Sequence, residues 1–147
     1  MRLTIRSNQA LRTLMVCASN PGQLLRSGDI AATCNASEHH TAQIIHRLVR
    51  MGILASTRGR SGGVRLALPP AEINIGSVVR QLEGEIPLVD CFDPDGCTCP
   101  LEGACRMKGH FAQALDAFYS VLESVTLADI TSGNAPLKAR LDLTELA

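Results

Sequence analysis

The chain lacks net charge, a long apolar run and any catalytic constellation, and each absence narrows what its 147 residues do. No window approaches the roughly eighteen apolar residues of a membrane span, so no membrane role is expected. Met1-Arg2-Leu3-Thr4-Ile5-Arg6 leads into no apolar h-region. The chain therefore reads as an intracellular, cytoplasmic protein with reduced thiols, which disfavours a disulfide framework. No residue set suited to hydrolysis stands out. A thiol oxidoreductase usually carries Cys-x-x-Cys at a helix start, and Cys97-x-Cys99 has neither that spacing nor a thioredoxin-like strand order around it. An enzyme is not expected. The length fits one domain, or a small domain with an extension, and 46% hydrophobic content is ordinary for a folded protein.

The zero net charge hides an asymmetry. Residues 1–70 hold nine Lys/Arg against two Asp/Glu, and residues 71–147 hold five against twelve, so the halves carry about +7 and −7. A basic front half suggests a polyanionic partner.

The densest chemistry is Cys91-Phe-Asp-Pro-Asp-Gly-Cys97-Thr-Cys99-Pro-Leu-Glu-Gly-Ala-Cys105, which places four of the six cysteines in fifteen residues. Gly, Pro and Asp keep this backbone irregular, so several sulfurs can approach one point from different directions, as a soft metal or an iron-sulfur cluster requires. A structural zinc site would use the same four thiolates. Cys17 and Cys34 stand apart on apolar helical faces, where a lone Cys is usually a small core residue.

Taken in order, Ala10, Leu11, Leu14, Met15 and Ala18 recur at helical spacing and predict a helix over Asn8–Ser19, stopped by Asn20-Pro21-Gly22. Ser27 is the expected cap of a short second helix, Gly28–Thr33. Ser37 is the expected cap of a third, with Ile44, Ile45, Leu48 and Val49 buried and His39, His40, Gln43, Arg47 and Arg50 outward. Strands follow at Leu54–Thr57 and Val64–Leu68, joined by Arg58-Gly59-Arg60-Ser61-Gly62-Gly63. Three short helices and a basic hairpin predict a mainly α fold with a small β wing, a winged helix-turn-helix with its third helix in the major groove of double-stranded DNA. His39 and His40 suit either a base or phosphate contact or plain solvation.

Asn74 is the expected cap of a fourth helix, Ile75–Glu83. Beyond the cysteines, Phe111, Leu115, Phe118, Leu122 and Val125 repeat at spacings of four and three, with Ala104 and Lys108 in phase. That seam predicts a long helix pairing with its copy in a homodimer. Thr126-Leu-Ala-Asp129 starts a short capped helix. The expected organisation is thus a DNA-binding domain over 1–83, a cysteine loop over 84–106, a dimerisation helix with its short capped helix over 107–132, and a mobile tail over 133–147.

Met1-Arg2-Leu3-Thr4, Ala10-Leu11-Arg12, Arg58-Gly59-Arg60-Ser61-Gly62-Gly63-Val64-Arg65-Leu66-Ala67 and Ile75-Gly76-Ser77-Val78-Val79-Arg80 resemble a bacterial family of winged-helix iron-sulfur repressors, over about residues 1–132. Leu88-Val89-Asp90-Cys91-Phe92, Cys99-Pro100-Leu101, Ala104-Cys105-Arg106-Met107-Lys108 and Thr126-Leu127-Ala128-Asp129-Ile130 are most similar to its nitric-oxide-sensing branch. The resemblance implies a dimer on a pseudo-palindromic operator, with a 4Fe-4S or 2Fe-2S cluster in each subunit and nitric oxide as effector. Branches of the family that sense iron or cluster status are the nearest alternative. The resemblance places the cluster cysteines at Cys91, Cys99 and Cys105, because the family's Cys-x5-Cys before Arg-x-Lys aligns there, and leaves Cys97 extra. The winged helix-turn-helix reading places DNA contacts on His39, His40, Gln43 and Arg47 of the third helix and on Arg58, Arg60, Ser61 and Arg65 of the wing. Two departures follow. Members carry Ser-Asp where this chain has Ser7-Asn8, which leaves Cys97 and Asn8 as candidate fourth ligands. Their His-Leu-x-Lys is here His40-Thr41-Ala42-Gln43, one cation fewer on the DNA face, so a different operator preference is expected.

Overall fold

A computed structural model describes residues 3–59, 61–84, 87–93 and 95–143. Helix α1 spans Ile5–Ser19 and starts three residues before the expected Asn8, because the Thr4 hydroxyl accepts the Ser7 N–H at 3.2 Å and caps an earlier turn. Helix α2 spans Ser27–Thr33, and the expected Ser27 cap does not form. Arg26 occupies that position without a side-chain bond, and the Ser27 hydroxyl instead donates to Glu38 Oε1 at 3.2 Å. Helix α3, Glu38–Arg50, is capped by Ser37 as its sequence predicts, the hydroxyl accepting the His40 N–H at 3.2 Å.

Strands β1 (Leu54–Thr57) and β2 (Gly63–Leu66) form an antiparallel hairpin with Leu54 opposite Leu66 and Thr57 opposite Gly63. Leu25 joins its edge, its N–H donating to Val64 O at 2.9 Å and its carbonyl accepting from the Val64 N–H at 2.8 Å. Gly63 permits this approach. A Cβ there would lie 2.7 Å from Leu25 O, closer than carbon and oxygen tolerate.

Helix α4, Ile75–Glu83, is capped by Asn74, whose Oδ1 accepts the Ser77 N–H at 2.9 Å. Leu14, Val16, Ile30, Leu48, Leu54, Val79 and Leu82 are fully buried and bring α1 to α4 and the hairpin around one core. Thr4 closes the ring of helices, giving its N–H (2.9 Å) and hydroxyl (2.8 Å) to the Glu83 carboxylate at the end of α4.

Helix α5, Met107–Glu123, is shorter than the seam implied. Ala104 lies outside it, in a turn where the Cys105 N–H reaches back to Leu101 O at 3.0 Å, and Val125 follows its end. Its last turn is anchored to α4. Ile75 N–H donates to Val125 O, Leu127 N–H donates to Ile73 O, both at 2.9 Å, and Asn74 Nδ2 donates to Glu123 O at 2.6 Å. A side chain at Gly76 would collide with the Glu123 backbone, so glycine sets how closely the two helices cross. Arg80 pairs with Glu123 at 2.9 Å while its guanidinium lies 4.1 Å from the Tyr119 ring centre.

A capping box between Thr126 and Asp129 opens α6, Leu127–Thr131, as expected. Of the segment expected to be a mobile tail, residues 133–143 are held to the domain, and residues 144–147 lie outside the described residues. Residues Ala135–Leu141 form α7, and the buried Asn20 side chain donates to Leu141 O at 2.7 Å and accepts the Leu143 N–H at 2.8 Å. Leu143 is 5% exposed and joins the core, so burial of one leucine and an amide clasp outweigh the polarity of the surrounding residues.

Candidate nucleic-acid interface and cysteine loop

Helix α3 presents His39, Gln43, His46 and Arg50 as one exposed stripe, since spacings of four, three and four residues recur on one side of a helix. Gln43 Nε2 and His39 Nε2 are 3.0 Å apart, so the pair shares a hydrogen bond on that surface. The other two expected contacts turn to the flank. His40 is half-buried, and its Nε2 is buried without a partner among the described residues. Arg47 is half-buried and donates to Gln81 O on α4 at 3.2 Å, which ties the reading helix to the last turns of α4.

Between α3 and the wing lies a groove of about 560 Å³ lined by Arg26, Ala42, His46, Thr57 and Gly59 among others. Arg58 and Ser61 are exposed at the hairpin tip. Arg60 lies outside the described residues. Arg65 is exposed too, but strand alternation turns it away from buried Val64 and α3, toward Asn20-Pro21-Gly22. Two residues on this face escaped the sequence reading. His46 continues the stripe seven residues after His39, a spacing visible in the sequence; Arg26 joins the groove only through the pairing of Leu25 with Val64, which no local pattern announces.

The cysteine loop runs from Gly84 to Arg106 between α4 and α5 and holds, among its described residues, one short turn of 3-10 helix at Asp90–Phe92. Gly96 and Gly103 take positive φ of 134° and 81°, which keeps the path irregular. All four thiols are free, with Cys91, Cys97 and Cys99 half-buried and Cys105 exposed. The Cys97 thiol sits above its ordinary pKa. The Cys99 backbone N–H favours its thiolate, but desolvation, the Glu102 carboxylate and the Cys99 sulfur together outweigh that bond. As donors the thiols suit iron or zinc, being reduced, partly open to solvent and carried on a pliable backbone. Among the described residues no three metal-binding side chains converge. Asn8 is exposed on α1, lining a cavity with Arg12 and His40.

Cys17 and Cys34 are core residues. Burial, with Cys34 nearby, pushes the Cys17 thiol up to about 12, and burial also raises Cys34 despite Arg12 and Gln9 beside it. Neither favours the thiolate that a metal needs.

A trihelical core, a polar reading stripe and a basic hairpin define a winged helix-turn-helix DNA-binding regulator. Residues 3–133 match the Rrf2 family, described as an iron-dependent transcriptional regulator. The chain is 42% identical to the HTH-type transcriptional regulator NsrR of Geobacillus kaustophilus over 96% of its own length and 97% of that protein's. It is 40% identical to NsrR of Halalkalibacterium halodurans over 97% and 99%. Its fold matches T. potens IscR with a TM-score of 0.70 at 26% identity, covering 88% of this chain and 85% of that one. The chain belongs to the Rrf2 family and is a transcriptional regulator, not an enzyme. No helix among the described residues is long and apolar enough to cross a membrane.

Proposed function

We propose that this chain is a cytoplasmic iron-sulfur repressor that binds operator DNA as a homodimer and leaves it in response to nitric oxide. The observation that carries the reading is the position of the cysteine loop. It is inserted between the helix that braces the reading head and the helix that projects from it. Cys91, Cys99 and Cys105 would hold the cluster, with Cys97 or Asn8 as candidate fourth ligand. When bound, the cluster supplies iron with which nitric oxide reacts.

The remaining work falls to the chain's own residues. The last turns of α4 hold α3 through Arg47 and Gln81, and hold the start of α1 through Glu83 and Thr4. A displacement of the loop that begins at Gly84 therefore acts on the support of the reading helix. Gln43 suits bidentate reading of adenine, and Arg58, Arg60 and Ser61 suit backbone or minor-groove contacts; Arg65 meets DNA only if the duplex wraps the wing's other face.

For the dimer, part of the expected seam is already used. Leu115, Phe118, Leu122 and Val125 pack on the chain's own core, while Met107, Phe111, Ala114 and Val121 form an exposed stripe beside them. A second copy fits that stripe, and Val121, 66% exposed, is its most open large apolar residue.

The test is an anaerobic preparation with metal analysis, an absorption spectrum and duplex binding, each before and after stoichiometric nitric oxide. Iron and sulfide with a visible band, and DNA release on nitric oxide, are expected. A colourless zinc protein would establish a structural site. Release on iron depletion alone would favour an iron or cluster-status sensor.

A further inference from the structure

Two side chains on the exposed stripe of α3 are bonded to each other before any base arrives. His39 and Gln43 are four residues apart, so they stand one above the other on the helix, and their Nε2 atoms lie 3.0 Å apart. An amide nitrogen donates and does not accept, so the proton in this bond belongs to Gln43 and the neutral imidazole supplies the lone pair. Among the described residues no other hydrogen bond holds the Gln43 amide. His39 therefore decides which end is which: the nitrogen faces the ring and Oε1 faces away.

We infer that His39 is a positioning residue that fixes which way round Gln43 reads a base pair, a role that rests on the nucleic-acid reading of α3. A primary amide has two N–H groups. Giving one to His39 leaves the oxygen and the other N–H side by side, the acceptor and donor that adenine N6–H and N7 match. Turning the amide end for end reverses that order along the groove, and A·T and T·A present N6 and N7 in opposite order. A glutamine free to turn reads both; one held by His39 reads a single orientation. The imidazole can also reverse the choice. Once protonated, Nε2 becomes a donor and takes the amide by Oε1 instead. Around it, Glu38 is turned into the wing groove and accepts from Ser27, His40 is half-buried on the other flank, and His46 lies seven residues further along the stripe.

The experiment uses the full, anaerobically prepared chain and duplexes selected on it from random sequence. The pair that Gln43 reads is the position at which Gln43→Ala abolishes preference. There, at about pH 8, the unsubstituted chain should separate A·T from T·A by about 5-fold or more, the lower end of what a bidentate base contact discriminates. His39→Ala should bring that ratio near one while binding to random duplexes is kept. His39→Lys, which has donors and no acceptor, should invert the ratio at either pH. Between about pH 8 and about pH 5.5 the unsubstituted chain should move toward the inverted preference, and His39→Ala should not. In the free protein the Gln43 side-chain amide resonances should shift in step with the His39 ring. A ratio that survives both substitutions overturns the proposal, as does a pH-dependent ratio that persists in His39→Ala. Duplex binding in which Gln43→Ala alters no position overturns it too, with the nucleic-acid reading intact. If the unsubstituted chain binds no duplex, that reading fails and the base-reading role with it, while the amide resonances still report whether the pair forms.

Discussion

The winged domain and the cysteine loop are neighbours in the chain and opposites in construction. Between Ser7 and Leu82, α1 to α4 and the hairpin hold most of the buried core, whereas no described residue from Gly84 to Arg106 is buried. The domain derives its order from apolar burial. The loop has local turns, such as the Asp95 N–H on Asp93 Oδ1 at 2.9 Å, and a surface pair of Lys108 with Glu102 at 3.7 Å, which contributes little. Segments with few buried contacts open at low free-energy cost, so one part is built to persist and the other to be set by what it binds.

The sharpest way to separate the two is Cys99→Ser, which should remove the visible cluster while leaving the unfolding midpoint of the metal-free chain unchanged. Retention of the full anaerobic spectrum would remove Cys99 from the ligand set, and the same measurement on Cys97→Ser and Asn8→Ala decides the fourth position. In the other direction, Leu48→Ala should cost roughly 2 to 5 kcal/mol in denaturant unfolding, while Leu101→Ala in the loop should stay within about 0.5 kcal/mol. Equal losses would show that the loop carries core stability.

A third substitution probes the edge of the domain. Asn20→Ala strands the Leu141 carbonyl and the Leu143 N–H, and should cost roughly 1 to 3 kcal/mol while exposing residues 135–143 to protease. Undiminished protection would mean that Leu143 burial alone suffices. The smallest effect belongs to Glu83. Burial raises its pKa, but hydrogen bonds from Ser7 and Thr4, with Arg6 nearby, bring it below the ordinary value. Its charge therefore contributes stability above the unfolded value of about 4.3, and that contribution fades as pH falls through the lower folded one. The gap in unfolding free energy between the chain and Glu83→Gln should close along that acid range; a gap independent of pH would assign the effect to packing.

What the sequence reveals about this molecule follows the range of each interaction. Ser37, Asn74 and Thr126 cap their helices as read, because a cap acts within three residues. Ser27 does not cap its helix because its partner, Glu38, lies eleven residues away, and Thr4 caps α1 from well before Ala10, where the apolar periodicity of that helix begins. The clasp of Asn20 on Leu143 spans the chain, so the polarity of the tail gave no sign of it. The periodicity of α5 marked its apolar positions but could not apportion them between the chain's own core and a second copy. For the candidate site, residue types and the loop were legible. The turning of Arg47 and His40 to the flank, and of Arg65 away from α3, depends on neighbours brought in by tertiary contacts.

The crossing at Gly76 gives α5 the mechanics of a lever. Its seventeen residues span roughly 25 Å, clamped at the Glu123 end and free of buried contacts around Met107, where the cysteine loop attaches. Leu115, Phe118 and Leu122 hold the other half of the helix to the core, so the free arm is roughly 12 Å, and a bend of about 5° at its base sweeps the tip by roughly 1 Å and hardly moves the clamped end. The loop therefore attaches to the open end of a helix whose other end is clamped to α4, the element that braces α3 through Arg47 and Gln81.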